Sequence, residues 1–312
     1  MSLLRPSAAA TTWVGLTLQD DQAHLARVST PAEGLPRVDW VASQAWRPGD
    51  AGWRSLRRQH RLAQERLVAL LPEGHYQLVS LPAPDVPRAD WADALRWQLR
   101  DVVDFAVDSA AVDVLAVPGA DPAAPARSVL VVAADGARVQ ALVDRCDDHR
   151  LPLAAIDMAE TSLRNLCALR GDDHRGRALL RLQPRRCDLV LTLKGELLMS
   201  RHFELGTELL GAAEPARRQA ALDQLALEVQ RTLDLCERLF SHANVADLSL
   251  LPDPQAEAVA AELREAVYLP VLVLPLAELL DLSAVPALAE VDGLARYALA
   301  LGAALRPAPE AA

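Results

Sequence analysis

Only four of the 312 residues are cysteine, Cys146, Cys167, Cys187 and Cys236, and no two lie closer than twenty positions. Without a CxxC pair the chain has neither a zinc-site spacing nor a disulfide framework, and reduced, mostly buried thiols are the expectation. The seven histidines do not cluster either: only His149 stands near a cysteine, three residues after Cys146. That pair reads as one helix face, and no metal site is expected. Positive charge is the minority sign, 32 Lys and Arg against 42 Asp and Glu for a net charge of -10, and no basic block interrupts it. Nucleic acid and an anionic membrane face are thereby excluded as direct partners. Long apolar runs are missing as well. The richest window, VYLPVLVLPLAELLDL, is broken by Pro270, Pro275 and Glu278, so no membrane span is expected. The opening MSLLRPSAAATTW carries Arg5 and Pro6 within its only apolar segment, which does not fit a signal peptide, and a cytoplasmic protein is expected. GxGxxG, GxxxxGK[ST] and GxSxG are all absent. Ser200 and His202 alternate along one predicted strand without forming a reasoned dyad.

What is present is half apolar and a quarter charged, the profile of a soluble globular protein. The length favours two lobes over one core. TWVGLTLQDDQAHLARVS predicts a β-hairpin, with alternating runs at 12–18 and 23–29 around a turn at Gln19, Asp20 and Asp21. A helix near 54–65 and a buried strand, RLVALLP, follow. YQLVSLPAPDVPRADW predicts a strand and a proline-rich loop, after which Asp90 caps a helix with Trp91, Leu95, Leu99 and Val102 on one face. Strands AAVDVLAVP and RSVLVVAAD flank GADPAAPA, and the helix ARVQALVDRCDDHR completes an α+β module. LPLAAIDMAETSLRNLCAL reads as strand then helix. Asp172, Asp173 and His174 lie in a polar connector. The stretch RALLRLQPRRCDLVLTLKGELLMSRHFELG predicts three strands, 178–182, 187–193 and 196–203, with Lys194 and Gly195 turning the second pair. A helix over 215–240 carries a stripe of Leu222, Leu225, Val229, Leu233, Cys236 and Phe240. Strand, helix and strand then lead to a closing helix, DGLARYALALGAALR.

Three blocks, ALRWQLRDVVDFAVDSAAVDVLAVP, AIDMAETSLRNLC and LALEVQRTLDLCERLF, resemble the MshI and PilM-like family of type IV pilus assembly proteins. MshI members serve mannose-sensitive haemagglutinin (MSHA) pili. The likeness runs from about residue 12 to 306, and its most specific element is Glu228, Gln230, Arg231, Leu233 and Asp234 in one helix. It implies an α/β fold: the actin-like ATPase architecture of FtsA and PilM, two-lobed, with a small inserted α+β subdomain. On that plan residues 1–75 open the N-terminal lobe, 76–155 form the insertion, 156–176 return, 177–290 make the second lobe, 291–306 close on the first, and 307–312 are a tail. The implied partner is the cytoplasmic N-terminal tail of a PilN- or MshJ-like inner-membrane protein. The pilus assembly ATPase and a second copy of the chain are further candidates.

An actin-type nucleotide site requires tight turns that point N–H groups at phosphates, and carboxylates that hold hydrated magnesium. Carried onto this chain, the resemblance makes Gly15, Thr17, Gln183, Arg185 and Asp253 the contacts for ATP with Mg. The chemistry speaks against occupancy. Trp13 or Val14 stands where the first carboxylate belongs, and Asp20 and Asp21 read as a plain hairpin turn. At the second hairpin Arg181 replaces the acid, and Pro184 removes a donor. At the adenosine turn, Leu251, Pro252, Asp253 and Pro254 replace glycines. The expectation is a pseudo-ATPase, not an enzyme. The basic joint from Arg181 to Arg186 has two readings: an anion cradle, or a solvated edge at Arg185 and Arg186 with Arg181 paired to a nearby acid.

For partner binding the resemblance directs attention to Tyr76, Leu78, Trp91, Leu95, Trp97 and Leu99, expected to line a groove between the N-terminal lobe and the insertion. The same aromatics read equally well as core. Glu228, Arg231 and Asp234 share a helix side, where pairing is worth only about 0.2–0.5 kcal/mol, either as a solvated face or as a cleft wall. The function expected is a scaffold. The alternatives are a working actin-like ATPase or ATP-binding switch in the same machine, and a component like GspL of type II secretion.

Overall fold

The computed structural model describes residues 11–19, 21–46, 50–119, 128–171 and 174–307. The chain opens with β1 (Thr11–Gln19), β2 (Gln22–Thr30), β3 (Arg37–Ala45), α1 (Asp50–Gln59) and β4 (Leu67–Leu70). Next come β5 (Tyr76–Pro82), α2 (Trp91–Arg96), β6 (Ala111–Ala116), β7 (Ser128–Ala134), α3 (Gly136–Asp148), β8 (Leu153–Asp157) and α4 (Ala159–Ala168). The second half runs β9 (Arg177–Leu182), β10 (Cys187–Leu193), β11 (Glu196–Phe203), α5 (Thr207–Leu210), α6 (Pro215–Leu239) and β12 (Leu248–Leu250). It ends with α7 (Ala256–Ala266), β13 (Val271–Val273), α8 (Leu276–Leu279) and α9 (Val291–Ala304).

Two compact units result. The first comprises Met1–Leu71, Asp144–Leu166 and Pro275–Ala312, the second Pro72–Val143 and Cys167–Leu274. In the first unit a five-stranded sheet has the order β3-β2-β1-β4-β8. β1, β2 and β3 pair antiparallel, while β4 and β8 add parallel. The second unit repeats that plan as β11-β10-β9-β12-β13, and carries a separate three-stranded sheet, β5-β7-β6. Every residue of β9 and β10 is buried, the signature of central strands covered on both faces. This is why RALLRL and CDLVLTL read as near-continuous apolar runs and not as alternating ones.

Local chemistry accounts for the boundaries. Lys194 and Gly195 take φ of 52° and 76°, the left-handed pair that a two-residue hairpin requires, and so join β10 to β11. Pro215 occupies the first turn of α6, where its missing N–H costs nothing. The stripe foreseen on α6 is buried along its whole length, from Leu222 to Phe240.

Three expectations need correction. The helix expected near 54–65 is α1, which ends at Gln59, and Arg61 then turns left-handed at φ 51°. α2 stops at Arg96 and tightens into a 3-10 turn at Trp97–Leu99. Leu95 and Leu99 are buried as expected, but Val102, beyond the 3-10 turn, is 44% exposed, and Asp90 makes no side-chain capping bond. The strand expected at YLPVLVLPL is reduced to Val271–Val273, because Pro270 and Pro275 bound it. The joint at 120–127 and the residues Asp20, Asp172 and Asp173 lie outside the described residues. Among the described residues no helix is long and apolar enough to cross a membrane.

Candidate functional site

The β9–β10 hairpin carries a buried cluster of charges in the second unit. Leu182 pairs with Cys187 and Arg181 with Asp188, so residues 183–186 form the turn, closed by Gln183 N–H donating to the Arg186 carbonyl at 2.9 Å. Arg181 reaches Glu73 through Nη2 at 2.8 Å and Asp188 through Nε at 3.5 Å. Arg186 meets the same two carboxylates, Glu73 at 2.7 Å and Asp188 at 3.1 Å. Gln183 Nε2 donates to Asp188 Oδ2 at 2.6 Å. Two guanidiniums and two carboxylates thus alternate in a closed ring. Burial raises the Asp188 carboxyl above its ordinary range against the pull of Arg181; Glu73 adds to the rise, and Arg186 and His202 oppose it.

The far side of this turn is also occupied. Thr207 N–H donates to the Gln183 carbonyl at 2.8 Å and Glu208 N–H to the Pro184 carbonyl at 2.9 Å. Gly206 lies so close to Pro184 and Arg185 that a side chain there would overlap their backbone. Of the three arginines of the joint, Arg185 is exposed, Arg181 is buried, and Arg186 is half-buried and paired. Arg186 is therefore no solvated edge. Arginines already matched to carboxylates are not a donor set for hydrated magnesium, which takes oxygen ligands.

Gly15, placed at a phosphate turn by resemblance, lies in mid-strand. It pairs with Ala26 on β2 and Val68 on β4, and a Cβ on it would overlap the Ala300 carbonyl of α9 and meet Ala303 Cβ at 2.9 Å. The glycine is used for close helix-on-sheet packing, not for ligand approach. Thr17 is 3% exposed opposite His24. His24 Nδ1 stands 2.6 Å from Ser43 Oγ, and its ring meets Tyr297 edge-on at 5.8 Å. Asp253 accepts a hydrogen bond from Gln255 N–H at 2.9 Å through Oδ1, an Asx turn leading into α7.

Sequence reasoning missed Asp157. It ends β8 and is buried; Oδ1 accepts from Met158 N–H at 3.2 Å and from the Thr161 hydroxyl, while Oδ2 accepts from Arg306 Nη1 at 2.6 Å. The signal was the strand-to-helix switch itself, where an acid before a threonine caps the first turn of α4.

In the small module Leu95 and Leu99 are fully buried, and Tyr76 is 9% exposed. With Val107, Val129, Val131 and Ala133 the two leucines form its core, so they cannot touch a partner, and their place in the expected docking set is corrected. Leu78 is half-buried. Trp91 is half-buried, its indole N–H donating to the Val86 carbonyl at 3.1 Å. Trp97 is 68% exposed. On α6, Glu228 pairs with Arg231 at 2.9 Å, and Arg231 and Asp234 are exposed. Among the described residues no group of three or more His, Cys, Asp or Glu is placed to hold a metal ion.

No family model and no curated protein matches the chain; solved structures do. The PilM-PilN type IV pilus biogenesis complex aligns with a TM-score of 0.68 at 18% identity, over 94% of this chain and 97% of that one. A Bacteroides thetaiotaomicron protein of actin-like ATPase fold and unknown function aligns at 0.49 and 11%, over 85% and 91%. The cytoplasmic domain of EpsL, an inner membrane component of the type II secretion system of Vibrio cholerae, aligns at 0.44 and 15%, over 66% and 76%. Two five-stranded sheets of one repeated topology, joined to this likeness, identify the fold: the chain has the actin-like ATPase architecture in a PilM-like form.

Proposed function

We propose that the chain is a non-catalytic scaffold of a type IV pilus assembly machine of the MSHA kind. It holds the cytoplasmic tail of a single-span inner-membrane protein similar to PilN or MshJ, and is kept at the membrane through that partner. The observation that carries the reading is the closed ring of Glu73, Arg181, Asp188 and Arg186. It fills the turn where an actin-like protein would need an acid and free donors for a phosphate-bound magnesium ion. Likeness over 94% of the chain to PilM, which was solved with PilN, supports the choice of partner.

Two measurements test it on the full chain. Magnesium ATP added to the purified protein should leave the melting temperature unchanged, because only a ligand that binds the folded state stabilises it. A concentration-dependent rise would overturn the pseudo-ATPase reading in favour of a nucleotide switch. A synthetic N-terminal tail of a co-encoded single-span protein should be retained by the immobilised chain. Failure of every such tail to bind would remove the scaffold assignment.

A further inference from the structure

The small module of β5, β6, β7 and α2 has seven aspartates and three arginines between residues 85 and 113. All three arginines are engaged within it. Arg88 lies over the Trp91 ring, 5.9 Å from its centroid. Arg96 Nη1 donates to the carbonyls of Val107 and Ala110, each at 2.8 Å. Arg100 pairs with Asp108 at 3.4 Å. Among the described residues no ion pair engages Asp93, Asp101 or Asp104, and all three are exposed.

Within this acidic stretch stands Trp97, the most exposed large apolar side chain of the described residues at 68%. The backbone is helical at Trp91, Arg96, Trp97 and Arg100, and Val102 N–H bonds the Leu99 carbonyl at 3.0 Å. Asp93 therefore lies one α-helical turn before the indole, on its side, and Asp101 follows the 3-10 turn that carries the indole. Leu95 and Leu99 belong to the core of the module, and Trp97 does not. An indole left in water in a stretch of exposed carboxylates has the make-up of an interface anchor, in which a flat π-face and nearby anions suit a guanidinium.

We infer that the Trp97 face of this module docks an arginine-bearing segment of a partner protein, one arginine stacked on the indole and held by Asp93 and Asp101. Charge complementarity selects the occupant: the surface is acidic, and Arg88 over Trp91 is the same contact made within the module. The inference rests on reading this module as the partner-binding part of the scaffold, and it specifies the chemistry of the segment bound.

The test uses the full chain and an octapeptide of alternating arginine and leucine, with lysine and glutamate counterparts, followed by fluorescence anisotropy at low and high salt. The arginine peptide should bind more tightly than the lysine peptide, and the glutamate peptide should not bind. W97A and the double variant D93N/D101N should each lose about 3- to 30-fold in affinity, while their melting curves match the parent because the three side chains are exposed. Binding of the arginine peptide unchanged in W97A, or absent from the parent, would overturn the inference. The two readings fail separately. A co-encoded tail held equally well by parent, W97A and D93N/D101N sinks this one and keeps the scaffold, whereas a tail never held sinks the scaffold and leaves the peptide result to stand.

Discussion

Arg181 and Asp188 face each other across the β9–β10 ladder, next to the turn, and are only 7% and 5% exposed. Buried charges of this kind are retained as a set. Their attraction roughly offsets their lost hydration, so the penalty appears when one member is taken away. Arg181→Met leaves Asp188 and Glu73 short of a cation, and should cost about 3–5 kcal/mol in urea denaturation. Removing the pair together, as R181M/D188L, should cost less than the single change. A single variant as stable as the parent would show that the ring carries no such coupling.

Gly15 has α9 against its Cα. Gly15→Ala should lower stability by about 1–3 kcal/mol through overpacking, read as a fall in melting temperature. Magnesium ATP should leave parent and variant equally unaffected. A variant with parental stability but altered nucleotide response would return Gly15 to a ligand role.

His24 is buried beside Ser43 and Tyr297, and burial, followed by the Arg296 charge, lowers its pKa. Burial lowers His60 and His75 likewise. The unfolded chain then takes up protons near the ordinary histidine pKa of about 6.5 while the folded chain does not. Stability is full above that pH and is lost as the pH falls toward the folded values. His24→Gln should flatten this acid limb in denaturation midpoints measured from neutral pH down to about pH 5; an unchanged slope would show that His24 is not its source.

Burial raises all four thiols: Cys146 and Cys236 to about 11, Cys187 to about 12, and Cys167 upward as well. Because the thiolate is the nucleophile, native protein should resist iodoacetamide at mildly alkaline pH, and denatured protein should take up four labels. The same shifts make the unfolded chain release protons first as the pH rises past the ordinary thiol range, so alkaline stability should fall there. Rapid labelling of the native chain would contradict the packing around these residues.

How legible this was in the sequence depended on the range of the interactions. The hairpin at Lys194 and Gly195 and the stripe of α6 are set by local φ preference and helical pitch, and both were readable. The module at 76–155 was foreseen as mixed strand and helix, but which of its apolar residues turn inward was not. Leu99 lies buried on the face that helical pitch predicts, whereas Val102, beyond the 3-10 turn after Arg96, is exposed. Glu73, more than one hundred residues from Arg181 in the chain, could not be assigned as its partner, since only the fold brings them together. Gly15 misled for a related reason: a glycine that admits a helix backbone and one that admits a ligand look alike until α9 is in place.

The two-residue turn between β10 and β11 has a further use. Lys194 is the only lysine among the 312 residues, and the hairpin holds it exposed in a left-handed turn. Apart from the amine at the start of the chain, acylating reagents find a single side chain to modify. The fold therefore provides one fixed attachment point for a dye, a cross-linker or a solid support, far along the sequence from Trp97.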